Sequence, residues 1–304
     1  MTNAHVTPMA PSLEALAAVE RRVLWLSAAM VDHANRVRPN PSGMKVGGHQ
    51  ASSASMTTIM TALWFHSLTA DDRVSVKPHA SPVLHAINYL LGGLDSSYLS
   101  SLRAFGGLQS YPSRSKDPDP VDYSTGSVGI GATAPLWGAI ARRYVDGRFG
   151  GAGSGLQYTL LGHAELDEGA IWEAVQDPMV TDLGEVVWIV DLNRQSLDRV
   201  VPGMAVDRTQ GMFAAAGWQV LTLKYGRLLE DLFARPGGDA LRTRIDAMAN
   251  PEYQRLLRCT PEHLRERLPG RARRPSPSPG SSRTWTTPRS WRHCAISADT
   301  TSAP

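Results

Sequence analysis

LQYTLLGHAELDEGAIWEAV at residues 156–175, followed by EVVWIVDLNRQSLD at 185–198, is the stretch that decides the fold. The apolar runs at 156–161 and 185–192 have the length of strands and end in glycine or polar residues, while 167–176 between them is helix-like. A strand, a helix and a second strand so closely spaced specify parallel neighbours joined by a crossover. The same alternation continues outward, so the expected fold class is α/β, a mainly parallel sheet with helices on both faces. Ligands of such sheets sit beyond the carboxyl ends of the strands, which places the residues after Gly162 beside those after Leu192.

Upstream, residues 11–37 carry apolar positions at three- and four-residue steps and should form a helix ending before Pro39 and Pro41. A glycine-rich loop (Gly43, Gly47, Gly48) precedes a largely buried helix at 52–68. Residues 73–76 alternate as a short strand, with His79 just past its end. Two helices are expected at 81–91 and 97–105, then a long loop at 106–125, the kind of segment that often carries function. Residues 127–144 begin glycine-rich and end basic, as a helix does when its N-terminus is closely approached. Downstream, a helix at 210–216, a strand at 218–223 and helices at 228–233, 239–248 and 261–268 complete the expectation.

The formal charge of +3 over 304 residues conceals an asymmetry. Residues 271–304 hold six arginines and one acid, Asp299, leaving 25 basic and 27 acidic residues in 1–270. A slightly acidic main domain without a basic stripe argues against nucleic-acid binding. Two cysteines, Cys259 and Cys294, exclude a disulfide framework, and no apolar run reaches the ~18 residues of a membrane span. A cytoplasmic setting is the expectation. Half of residues 271–304 are Pro, Ser or Thr and Ile296 is their sole large aliphatic, so this segment is expected to be a disordered basic tail, read out of frame from a GC-rich gene.

The chemistry concentrates at residues 162–195. A small-residue turn after a strand lets a diphosphate approach backbone N–H groups and a helix N-terminus, while an acid in the turn and an Asn after the next strand can hold a divalent cation. This resembles the thiamine-diphosphate motif of the transketolase superfamily, in which an asparagine follows GDG by some thirty residues; Asn193 lies thirty positions after His163. Residues 21–268 resemble, more specifically, the N-terminal domain of the homodimeric 2-oxoacid (pyruvate) dehydrogenase E1 component. The matching strings are GGHQASSAS at 47–55, HASP at 79–82, LQSYPS at 108–113, SVGIGA at 127–132, ELDEGAIWEA at 165–174 and LNRQSLD at 192–198.

The resemblance implies catalytic-site roles for His49, His79 and Tyr111, and cofactor contacts from Ser52, Ser127, Gly129, Gly162, Ala164 and Glu165. It implies metal ligation at position 163 and by Asn193 and the carbonyl of Gln195. His66 and His85 are expected to be packing or surface residues. The implied cofactors are thiamine diphosphate and Mg2+. The implied domains are an extension at 1–20, a diphosphate-binding domain at 21–270 and the tail. The implied function is that of a truncated E1-like component that decarboxylates pyruvate or a similar 2-oxoacid and passes the acyl group to lipoyl. A transketolase-like ketol transferase subunit and a degenerate non-catalytic homologue are the alternatives.

Two departures qualify this. His163 stands where the family has its metal-binding Asp, replacing a hard anionic donor with an imidazole that Mn or Co would tolerate better than Mg. The pyrimidine-binding domain, which supplies an activating glutamate, is not provided by 271–304. The expectation is therefore a chain inactive alone, acting as a homodimer or with a partner chain bearing that domain, and possibly with a lipoyl acyltransferase.

Overall fold

The computed structural model describes residues 11–151, 153–192, 195–196, 199–200, 203–256 and 258–269. The tail and its expected disorder lie outside the described residues, as do residues 1–10. Two compact units form, one ending at Lys224 and the other beginning at Tyr225.

The first unit is built on β1 (Arg73–Ser75), β2 (Gln157–Gly162) and β3 (Val186–Asp191), parallel and in the order β1-β2-β3. Gly162 pairs with Asp191, so the carboxyl ends of β2 and β3 are level. Successive residues of β2 face opposite ways, as the two-residue period of a strand requires. Leu160 therefore joins a core with α1 (Leu13–Asp32), α2 (Gln50–Ala62) and α3 (Ser81–Leu90), through Val23, Met30, Met56, Met60 and Ile87. Leu161 joins a separate core with α4 (Ile130–Phe149) and α5 (Gly169–Val175), through Ala132, Ile171 and Val175. Both faces of the sheet are thus covered by helices.

The α1 helix ends in a wide turn at His33–Val37 before Arg38 goes extended ahead of Pro39, and Ser12 caps its start by accepting the Ala15 N–H. Two expectations fail. Residues 97–105 form only a single 3-10 turn, Ser96–Ser100, because Asp95 and the serine hydroxyls satisfy local backbone groups: the Ser97 N–H donates to Asp95, and Ser100 and Ser101 to the carbonyls of Ser97 and Tyr98. Residues 218–223 alternate like a strand but pair with no strand among the described residues. Trp218 packs against Trp188 and Phe213 while Leu221 and Leu223 are exposed, so an apolar alternation without a neighbouring edge yields no strand. The expected helix at 210–216 is the second half of a longer one, α6 (Gly203–Ala215). A two-residue antiparallel ladder, β4 (Gln195–Ser196) with β5 (Arg199–Val200), was not expected.

The second unit comprises α7 (Arg227–Phe233), α8 (Gly238–Asp246), α9 (Asn250–Leu256) and α10 (Pro261–Arg267). Only α9 was not anticipated. Arg242 of α8 reaches α7, its guanidinium lying 4.7 Å from the Phe233 ring centre and pairing with Glu230 at 3.1 Å. No helix among the described residues is long and apolar enough to cross a membrane.

Candidate active site at the carboxyl ends of the strands

Three segments leave the sheet at its carboxyl end. After β1 the chain passes Lys77 and enters a 3-10 turn, Pro78–Ala80, that carries His79. After β2 comes the 3-10 turn His163–Asp167, and β3 closes on Asp191. The Lys77 ammonium donates to the Asp191 carboxylate at 2.8 Å, with only 7% and 12% of the two side chains exposed. The same Asp191 oxygen accepts the Ser55 hydroxyl of α2 at 2.6 Å. A buried ion pair thus ties β1, β3 and α2 together. Neither Lys77 nor Asp191 was singled out from the sequence. The available signal was a lone lysine and a lone aspartate, each at the end of an apolar strand.

Glu165 turns back on the strand end and accepts the Gly162 N–H at 2.8 Å. Burial pushes its carboxyl up to about 7, against the opposing pull of that N–H and of Lys77. Burial likewise pushes the His163 imidazole below its ordinary value, with Asp167 and Asp191 opposing and Lys77 assisting, and its Nε2 has no hydrogen-bond partner among the described residues. Gly162 and Gly129 are both explained by neighbours. A Cβ on Gly162 would lie 3.1 Å from Lys77 Cε, and one on Gly129 would lie 3.2 Å from Ile171 and 3.3 Å from Glu168. Gly129 also sits in the left-handed region at φ 78° as the residue before α4.

These side chains do not fit magnesium. The ion wants a shell of hard oxygen donors. Among the described residues position 163 offers an imidazole nitrogen in place of a carboxylate, one Glu165 oxygen accepts a backbone N–H, and one Asp191 oxygen is paired with Lys77. Asn193 lies outside the described residues, and Gln195 is seen only as a backbone partner of Val200.

Beside this cluster the structure gathers His49, His79 and Tyr111. Gly47 and Gly48, at φ 92° and 107°, turn the chain so that His49 falls at the N-cap of α2, and a Cβ on Gly48 would meet Val31 at 2.9 Å. The rings of His49 and His79 are 4.1 Å apart, and Tyr111 meets His79 edge-on at 5.6 Å. Burial first, then His49, Lys77 and Arg103, pushes His79 down to about 4, so it is neutral at physiological pH, and its buried Nδ1 has no partner among the described residues. His49 and His79 border a small cleft lined also by Ser81, Leu102, Arg103 and Ser110, with room for about one water (about 10 Å³).

Not every expected residue converges. Ser52 is half-buried on α2, where its neighbours Ser53 and Ser55 make the contacts, Ser53 to the His79 carbonyl at 3.2 Å. Ser127 is exposed in the bend before α4, and Ala164 is half-buried within the 3-10 turn. His66 is exposed, whereas His85 is fully buried. His85 Nδ1 contacts Asp119 at 2.8 Å, and Asn88 donates to the same carboxylate at 2.7 Å. Asp117 next to them accepts the N–H groups of Gln109 at 2.8 Å and Ser113 at 2.7 Å. This network was missed in the sequence. It clamps the loop on both sides of Tyr111 and explains how twenty residues without secondary structure hold a side chain in place.

Comparison with known proteins places the chain in a family. Residues 41–234 match the family model described as transketolase, thiamine diphosphate binding domain. The chain is similar to the pyruvate dehydrogenase E1 component of Pseudomonas aeruginosa, at 30% identity over 268 residues, covering 83% of this chain and 30% of the relative. It is similar to that of Cupriavidus necator at 29% identity, covering 80% and 28%. Among solved structures, transketolase from Campylobacter jejuni superposes with a TM-score of 0.60 at 24% identity, covering 69% of this chain and 33% of that one. Transketolase from Leishmania mexicana gives 0.58 at 21% identity, covering 69% and 32%. The chain spans about 30% of the length of these curated relatives. With a parallel sheet, a turn after β2 and a model match over more than half its residues, the chain belongs to the transketolase-type thiamine diphosphate-binding domain family.

Proposed function

We propose that this chain is the diphosphate-binding half of an E1-like, thiamine-diphosphate-dependent 2-oxoacid dehydrogenase, acting on pyruvate or a similar 2-oxoacid. The observation that carries this is the gathering of His49, His79 and Tyr111 ring against ring just past the carboxyl end of β1. The cofactor, when bound, supplies the carbon nucleophile and electron sink for decarboxylation. The chain's own residues order the surroundings. Neutral His79 and its neighbour His49 offer hydrogen-bonding nitrogens to a reacting oxygen, and Tyr111 offers a hydroxyl. A pyrimidine-binding domain would complete the site, with a homodimeric or mixed assembly and a lipoyl acyltransferase as downstream acceptor.

The misfit with magnesium favours one alternative, a homologue that retains the fold and binds cofactor weakly without turning over. Calorimetric titration of the chain with thiamine diphosphate, with and without Mg2+, tests the proposal. Saturable binding at one site per chain is expected, and no heat under either condition, in both the wild type and His163→Asp, overturns it.

A further inference from the structure

Where the loop at 106–125 meets α3, the side chains of His85, Asp117 and Asp119 are all 0% exposed. Asp117 accepts a backbone N–H on each oxygen, from Gln109 and Ser113, as an ionised carboxyl does. Against the opposing effect of burial, the contacts from His85 and Asn88 hold Asp119 below the ordinary carboxylate range. Among the described residues neither aspartate pairs with a lysine or an arginine. Two buried negative charges thus face one imidazole, and even a protonated ring would offset only one of them. Buried charge persists where it is paired or where it coordinates a metal.

The orientation of the ring points to the second case. An ionised Asp119 can only accept, so Nδ1 carries the proton of their 2.8 Å contact. Nε2, on the far side of the same fully buried ring, has no hydrogen-bond partner among the described residues. Asp117 Oδ1 lies 4.0 Å from it. That is too long for a hydrogen bond, yet within the ~4.2 Å that two ligands at ~2.1 Å can span across one zinc-sized ion. One ligand atom from each of the three residues lies within 4.8 Å of the others. A histidine whose Nδ1–H is fixed by a carboxylate and whose Nε2 is bare is in the form that binds metal. An imidazole nitrogen beside carboxylate oxygens suits zinc and its neighbours better than Mg or Ca, and a divalent ion would balance the two negative charges. We infer that His85 and Asp117 ligate one divalent ion of the zinc class, that Asp119 orients the ring and supplies the second negative charge, and that the ion pins the loop carrying Tyr111 against α3. This site uses none of the strand-end residues and does not depend on the proposed cofactor function.

The test uses the full chain without an affinity tag and without thiamine diphosphate, stripped with a chelator, reloaded with zinc chloride and desalted. Elemental analysis should find more than about half an equivalent of zinc per chain, and X-ray absorption at the zinc edge should show imidazole scattering. Zinc should slow proteolysis within 106–125 by about tenfold or more, because an ion that binds only the folded loop stabilises it. His85→Gln and Asp117→Asn should each lose most of the zinc, and His163→Ala should keep it. Less zinc than this in the folded wild type, cleavage indifferent to zinc, zinc retained by both His85→Gln and Asp117→Asn, or zinc lost in His163→Ala would each overturn the inference and leave His85 as a metal-free contact between two aspartates. The cleavage readout on the wild type decides the matter even if a variant fails to fold. With no cofactor present, either result leaves the thiamine diphosphate reading untouched.

Discussion

Replacing His79 with phenylalanine should make the stability of the first unit less sensitive to acid. Folded His79 takes a proton only near pH 4, against about 6.5 in an unfolded chain. Above pH 6.5 both states hold it neutral and it contributes no pH dependence. Between 6.5 and 4 the unfolded chain binds a proton that the folded chain refuses, so stability falls as pH falls, and below 4 the loss levels off. A shift of about 2.5 units corresponds to a ceiling of about 3.4 kcal/mol, and the partial exposure of the ring reduces this to about 2. Phenylalanine keeps a ring against His49 and Tyr111 but cannot titrate. Urea unfolding followed by tryptophan fluorescence at pH 7 and 4.5 should give a pH-induced loss about 2 kcal/mol larger in the wild type than in His79→Phe. An NMR titration of the His79 ring should show a midpoint near 4, moving upward in Lys77→Met because one of the cations that depress it is gone. A midpoint at 6 or above, or equal acid sensitivity in the two proteins, would refute the electrostatic account of this pocket.

Lys77→Met leaves the Asp191 carboxylate buried beside Ser55 alone and should cost about 3 kcal/mol in urea unfolding, whereas Lys77→Met with Asp191→Leu should recover most of that loss; a double variant as unstable as the sum of the singles would count against the pair. Asp117→Ala removes the acceptor of two N–H groups flanking Tyr111 and should cost about 2 kcal/mol and speed proteolysis within 106–125; unchanged cleavage would show that the loop is held otherwise. Gly129→Ala combines a left-handed φ with crowding against Ile171 and Glu168 and should lower the melting temperature by several degrees, about 1–2 kcal/mol; an unchanged melting temperature would contradict it.

Much of the framework was legible because it rests on local periodicity. The runs at 156–161 and 185–192, bounded by glycine and polar residues, could pair only in parallel once a helix lay between them, and the two faces of β2 follow from alternation alone. The alternating residues 218–223 misled for the complementary reason: a strand needs a partner, and partners are set by the tertiary fold. The helix expected at 97–105 lost to hydroxyl and carboxylate groups that bond the nearby backbone. His49, His79 and Tyr111 each sit in a distinctive string, and the structure brings their rings together, whatever role is proposed for them. Lys77 and Asp191 were invisible because their meaning depends on a contact across 114 residues, and the His85–Asp119 and Asp117 contacts likewise join residues whose spacing has no period.

We propose a thiamine-diphosphate site whose metal position is altered by His163. Calorimetry comparing the wild type with His163→Asp tests it most directly, by the change in thiamine diphosphate affinity on adding Mg2+. Little dependence on Mg2+ in the wild type, about threefold or less, and a gain of tenfold or more in His163→Asp are expected, since the substitution restores an anionic oxygen donor. Tight, chelator-sensitive binding by the wild type that His163→Asp does not improve would contradict the account.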